Sequence, residues 1–202
     1  MSDTQTSKQR IVDAAVIVFN DNLSANLESV ADRAGVTRRT LHRHFAGREE
    51  LIAACAAEMN AVCQRAMKAA YQAGSDPVRQ LELMLYAGID CNHQYAFLTK
   101  LQYRTPDLPD APIAAGVEYE NIKDTWYALV GLLQEQELID RQLTPAWLFF
   151  LFGGMIDTTI TAYRSGDVAP NAIKKFAWRS FARSIGLRTL DADIPALSLP
   201  HE

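Results

Sequence analysis

Cysteine, glycine-rich loops and long apolar runs are all scarce in this 202-residue chain, and each scarcity excludes something. The three cysteines, Cys55, Cys63 and Cys91, are odd in number and follow no zinc-ligand spacing, so no metal or disulfide framework is expected and a reducing cytoplasm suits them. Cys55 and Cys63 are eight residues apart, over two helical turns, too far to bridge within one rigid helix; they read as small hydrophobes. No Gly-rich phosphate loop, no His-Glu-x-x-His and no nucleophile elbow occurs, so neither enzyme chemistry nor a cofactor is expected. The longest near-apolar run, Pro145 to Ile156, is too short to span a bilayer, and no basic-then-apolar leader follows Met1. The expected location is therefore cytoplasmic, with no membrane partner. Strand-like alternation is absent too, which leaves an all-α fold of about nine helices.

Charge is short overall but concentrated. The chain carries 20 Lys+Arg against 24 Asp+Glu, net −4. Yet five arginines and no acid fall between Arg33 and Arg48. An acidic protein with one basic segment has what a nucleic-acid site needs, because neutralised phosphates supply most non-specific affinity.

That segment lies within Leu27 to Phe45, LESVADRAGVTRRTLHRHF, which reads as a helix-turn-helix. Asn26 can cap the first helix, and Val30, Ala31 and Ala34 give it one apolar face. Gly35 suits the left-handed turn, Val36 can plug the space between the helices, and Thr37 is the next cap. Leu41 and Phe45, four apart, share the buried face of the second helix. Arg38, Arg39, Thr40, His42, Arg43 and His44 are left to face outward. The arginines suit guanine, whose O6 and N7 match the guanidinium fork; Thr37, His44 and Arg48 better suit phosphates, and Thr40 and His42 either. His42 and His44, two apart, point to different helix faces and make no metal pair.

The run RIVDAAVIVF followed by ESVADRAGVTRRTLHRHFAGREEL resembles the DNA-binding domain of tetracycline-repressor-like (TetR family) bacterial regulators. The resemblance rests on Val30-Ala31, Ala34-Gly35-Val36-Thr37, Thr40-Leu41-His42, His44-Phe45, Arg48 and Leu51, about the first quarter of the chain. His42 stands where the family commonly has Tyr, and Arg39 where it often has a small residue. The connection NDNLSAN is shorter than usual and lacks the frequent glycine, with Asn22 a candidate for the left-handed conformation. The resemblance implies a DNA-binding domain at residues 1–47, a ligand-binding and dimerisation body at 48–186 and a tail at 187–202. It further implies a homodimer through the last two helices, a double-stranded operator, and a small-molecule effector that releases it. A helix-turn-helix scaffold working through protein partners is the alternative.

The rest of the chain reads as helices with clear punctuation. Ser7 can cap a first helix to about Asn20, with Ile11, Ala15, Val18 and Phe19 as its stripe. Arg48 to about Tyr71 is Ala-rich, with Leu51, Cys55, Met59, Val62, Cys63, Ala66 and Ala70 on its buried side. Gly74-Ser75-Asp76-Pro77 opens a nearly all-apolar helix to about Leu101. Arg104 to Pro112 must be a loop or broken helix, and Ile113 to about Glu137 another helix. Thr144-Pro145 opens a helix to about Arg164. Asn171 to Ile185 ends the fold, with Ile173, Phe176, Ala177, Phe181 and Ile185 spaced for burial and Gly186 as the stop. Gly153-Gly154 and Ala162 would allow close approach of another helix. Tyr86, Cys91, His93, Phe97, Tyr103, Trp126 and Met155 are candidate lining for an apolar or amphipathic ligand.

Overall fold

The computed structural model describes residues 6–98 and 122–188. Among the described residues there is no strand, and eight helices are bounded: α1 Ser7–Asp21, α2 Leu27–Ala34, α3 Arg38–His44, α4 Arg48–Ala73, α5 Pro77–Gln94, α6 Ile122–Glu135, α7 Pro145–Ser165 and α8 Pro170–Ser184; 96–98 are helical as well. The all-α expectation holds. The loop expected at Arg104–Pro112, Tyr103 and the first turns of the helix expected from Ile113 lie outside the described residues. Two compact units form. One takes the described residues up to Met67 together with those from Asp90 to Leu98; the other takes Lys68–Ile89 with those from Ile122 onward.

In the first unit, Ile11, Ala15 and Phe19 of α1, Val30 and Ala31 of α2, Leu41 of α3, and Leu51 and Cys55 of α4 close into one core. The caps are local. Thr6, not Ser7, caps α1, accepting from the Gln9 amide at 3.2 Å. Asn26 caps α2 through the Ser29 amide at 2.9 Å. Gly35 takes φ 63°, and its amide and that of Val36 return to the carbonyls of Asp32 and Ala31. That closure satisfies carbonyls a helix end would leave unpaired.

Two joints in this unit are not local. The connection after α1 does not use a left-handed Asn22: its backbone is extended (φ −139°) and its side chain accepts from the Ser24 amide at 2.9 Å. The loop's carbonyls are instead gathered from a distance. Arg48, first residue of α4, donates to Ala25 O at 2.6 Å and to Leu23 O, with its guanidinium 4.3 Å from the centre of the Phe19 ring. At the other joint, Asn20 donates to Gln94 O at 2.6 Å and accepts from the Phe97 amide at 2.8 Å. That bond accompanies a turn at Tyr95, where α5 ends at Gln94 and helix resumes at 96–98, so the single helix expected to about Leu101 is interrupted.

The second unit is held by aromatic rings. Trp126 of α6 is fully buried, with Phe149 and Phe152 of α7 edge-on at 5.3 and 5.6 Å; Phe152 in turn meets Phe181 of α8 at 5.6 Å. Offset and edge-on rings satisfy the quadrupole while filling space. Thr144 caps α7 through the Trp147 amide at 3.3 Å, as its position before Pro145 suggests. Gly88 lets α5 approach α7: a Cβ there would sit 2.6 Å from Ile156 Cδ1. Leu187 and Arg188 are not the start of a loose tail. Leu187 is buried, and the amides of Arg188 and Asp140 pair with the carbonyls of Leu138 and Ile185.

One expectation about burial fails. Phe176, spaced for the core, is 53% exposed, because the helix turns it away from Ile173, Ala177 and Phe181. Trp147, Phe150 and Tyr163 are exposed as well, so α7 and α8 together carry an uncovered aromatic face. No atom lies within 4 Å of where a Cβ would stand on Gly153 or Gly154.

Candidate nucleic-acid interface

Helix α3 is seven residues long and cannot stand by itself, so its face is set by what holds its back and its start. Thr37 accepts from the Thr40 amide at 3.1 Å, and the two hydroxyls lie 3.0 Å apart. Leu41 and Phe45 are buried, and the Phe45 amide closes on Leu41 O at 2.9 Å. Glu50 reaches back to the Ala46 amide at 2.5 Å, fixing the corner between α3 and α4. Lys8 lies 5.8 Å from the centre of the Phe45 ring, which brings an α1 ammonium beside the end of α3.

With the back fixed, the front follows. Thr37, Arg38, Arg39, His42 and Arg43 are exposed; Thr40 and His44 are half-buried. His44 Nε2 is buried and has no hydrogen-bond partner, so that nitrogen is not presented to solvent. Arg48 stands apart from the other basic residues. Its guanidinium is committed to the loop carbonyls and the Phe19 ring, a job of positioning rather than of facing outward. Its sequence signal was the absence of a glycine in the short connection. Some other group had to take up those carbonyls.

The residues proposed to line a ligand site are divided between the two units. Cys91 and Phe97 enter the core of the first unit, Phe97 with its ring 5.7 Å from that of Phe19. Cys91 is disulfide-bonded to Cys63, a pairing that reading the two α4 cysteines alone could not reveal. His93 is half-buried on the last turn of α5 in the same unit. Tyr86, in the second unit, donates to Glu82 Oε1 at 2.7 Å; burial and that bond push its phenol well above the usual range. Met155 lines a hollow of about 200 Å³ with Phe176 on α7 and α8. Trp126 is packed among rings, its Nε1 buried without a partner. Tyr103 lies outside the described residues.

The larger hollow of the second unit was not anticipated. It measures about 490 Å³ and is lined by Lys68, Tyr71 and Gln72 at the end of α4 and by Ile122, Asp124, Thr125 and Ala128 of α6. Its rim carries both signs of charge beside apolar wall, within the size range of small-molecule sites.

A short helix with an apolar back and an arginine front, set after a glycine turn, defines a helix-turn-helix nucleic-acid-binding protein. The comparisons carry this further. The profile described as bacterial regulatory proteins, tetR family, matches residues 11–55, from the α1 stripe through Cys55. The chain is 25% identical over 162 residues to the HTH-type transcriptional repressor LfrR of Mycolicibacterium smegmatis, covering 80% of this chain and 82% of that protein. It is 24% identical to the HTH-type transcriptional regulator NfxB of Pseudomonas aeruginosa, covering 80% and 84%. The crystal structure of LfrR in complex with proflavine superposes with a TM-score of 0.68 at 26% identity, over 89% of this chain and 96% of that one. Residues 11–55 thus match the TetR-family model, and over most of its length the chain is similar to TetR-like regulators.

Proposed function

We propose that the protein is a dimeric, sequence-specific transcriptional regulator, a repressor that a small ligand releases from a pseudo-palindromic operator. The observation that carries the DNA reading is the front of α3: Arg38, Arg39, His42 and Arg43 exposed together on a helix whose back is pinned by Leu41 and Phe45. Arg38, Arg39 and Arg43 would read guanine edges, Thr40 and His42 bases or phosphates, and Thr37 and His44 phosphates. Arg48 would keep register indirectly, through the loop it holds. The DNA-reading division stays at 1–47, with 48–186 as the ligand-binding and dimerisation body and 187–202 as the C-terminal segment.

Dimerisation is supported by the aromatic face of α7 and α8. Its four large exposed side chains, Trp147, Phe150, Tyr163 and Phe176, are an apolar patch of the kind that marks an interface. Helix α7 is 21 residues with a mean hydropathy of 1.2 over its most apolar 18, longer than the run read from sequence and long enough to cross a bilayer. Yet its Leu148, Phe152, Ile156 and Ile160 already pack within the unit, which favours a second copy over lipid as the cover. A two-fold dimer would place two α3 helices on successive major grooves. A location in the cytoplasm and the lack of enzymatic activity belong to the same reading.

The effector site we assign to the hollow between the end of α4 and α6, whose lining suits an amphipathic molecule rather than a purely apolar one. LfrR, to which the chain is similar, was crystallised with proflavine, an observation about that protein that makes flat cationic aromatics a sensible first set to screen. Any effector must bind the DNA-incompetent state better, or it shifts nothing.

The test is selection of bound fragments from sheared genomic DNA at moderate salt. One recovered pseudo-palindrome supports the reading, and neutralising about six phosphates per complex should give a log–log salt slope near −5. A folded, dimeric protein that enriches no sequence would sink it.

A further inference from the structure

Nothing in DNA reading, dimerisation or effector binding uses the cysteines, yet the fold treats them very differently. Cys55 is fully buried; burial pushes its thiol up to about 12, and its sulfur lies 3.9 Å from Val12 O. A thiol so placed is inert, since the thiolate is the reactive form. Cys63 and Cys91 are brought together from α4 and α5, 28 residues apart, with Cα atoms at 5.6 Å, inside the range that bridges without moving the backbone. Cys63 is half-buried at the edge of the core and the more accessible of the two to an oxidant, while Cys91 is buried. The dithiol state is provided for as well, because Met59 O lies 3.8 Å from the Cys91 sulfur and can accept its S–H.

We propose that Cys63 and Cys91 are a reversible redox-modification site that takes hydroperoxides as its oxidant and sets the affinity of the head for DNA. The Cys63 thiolate attacks the peroxide oxygen, giving a sulfenic acid and releasing an alcohol or water. The Cys91 sulfur then attacks the Cys63 sulfur and expels water. Two thiols and one hydroperoxide thus become one disulfide, one alcohol (or water) and one water, and a dithiol reductant reverses the change by exchange.

The consequence follows from where the bridge falls. Within the first unit, Arg48 ties α4 to the loop after α1, and Asn20 at the end of α1 ties to Gln94 and Phe97 at the end of α5. The Cys63–Cys91 bridge ties the end of α5 back to α4 and closes the ring. Opened, the ring leaves the end of α5 held to α4 by packing alone, and the pull it exerts through Asn20 on the end of α1 changes. Since α1 packs behind α3, that change reaches the arginine front. This last step rests on the DNA reading; the chemistry of the site does not.

The experiment starts from fully reduced protein and measures its affinity for the operator duplex recovered by selection. Hydrogen peroxide is then added in slight excess. Thiols counted in denaturant should fall from three to one, mass should fall by two hydrogens, and peptide mapping should join Cys63 to Cys91. Operator affinity should change by at least about fivefold, the low end of ordinary coupling between sites, and return with dithiothreitol. Cys63→Ser should bind DNA equally with and without peroxide, and it serves alone if the buried Cys91→Ser does not fold. Three thiols surviving, loss of Cys55 in place of the pair, or oxygenated cysteines without a bridge overturns the site. A bridge that leaves affinity unchanged overturns the switch. If neither redox state binds DNA, the regulator reading fails while the thiol count still decides the site.

Discussion

Two helical surfaces of this protein are both exposed and could hardly differ more in chemistry. The front of α3 offers Arg38, Arg39, His42 and Arg43; the front of α7 and α8 offers Trp147, Phe150, Tyr163 and Phe176. Both have well-packed backs, so exposure is not a sign of loose folding in either. Guanidinium groups are content in water and give up counterion-mediated hydration only when a phosphate or base edge arrives, which suits a contact made and broken repeatedly. Exposed rings are unfavourable in water at about 25 cal/mol per Å² for as long as they stay there, which suits a contact made once and kept. One surface fits a transient partner, the other a standing one.

The contrast can be broken or sharpened by substitution. Phe45→Ala removes the back of α3 while leaving its front untouched and should cost about 3–5 kcal/mol; chemical denaturation checks it, and a loss under 1 kcal/mol would mean the back is not what positions the arginines. Phe150→Glu combined with Phe176→Glu should turn the dimer to monomer in sedimentation. Because one half-site then binds without the other, operator affinity should fall by about 10²–10⁴-fold. A dimer that survives both charges places the standing contact elsewhere. Arg48→Ala should lower stability by about 1.5–3 kcal/mol, the worth of hydrogen bonds to a charged group, while leaving the salt slope of DNA binding alone; a slope smaller by about one would mean it touches phosphate after all. Arg39→Ala should cost about 1–3 kcal/mol of discrimination on the selected operator and little on random duplex. Equal losses on both would move Arg39 to the phosphate-contacting group. Smallest is Asn26→Ala, worth about 1 kcal/mol as the loss of one cap in a thermal melt.

What was legible in the sequence was what is decided within a few residues. Asn26, Thr37 and Thr144 cap as read, because a cap needs only the amide three positions on. Gly35 turns left-handed as read, because the helix end beside it demands that conformation. Leu41 and Phe45 are buried as their spacing implies. Apart from the one-residue shift of the α1 cap to Thr6 and the extended Asn22, the differences depend on a partner far along the chain. Helical spacing could say that Phe176 falls near Ile173 and Ala177, but not that no other described element covers it. Cys63 was weighed only against its neighbour on the same helix, and its true partner is on α5. The hollow lined by Tyr71, Ile122 and Asp124 likewise joins the end of α4 to α6, and its residues have no local mark. Asn20 looked like a helix end and is also the clasp for Gln94 and Phe97.

The grip of Arg48 on the carbonyls of Leu23 and Ala25 bears on how such regulators can be recombined. The three N-terminal helices end at His44, but the group that completes their first connection comes from the next helix, and Leu51 and Cys55 fill the same core. A chimera joined immediately after Gly47 would import a stranger's arginine, or none, into the loop. Joined after Cys55, it would carry its own keystone. The DNA-reading head is therefore portable only with the root of the helix that follows it, and natural exchange of heads between regulators of this architecture should leave its seams there.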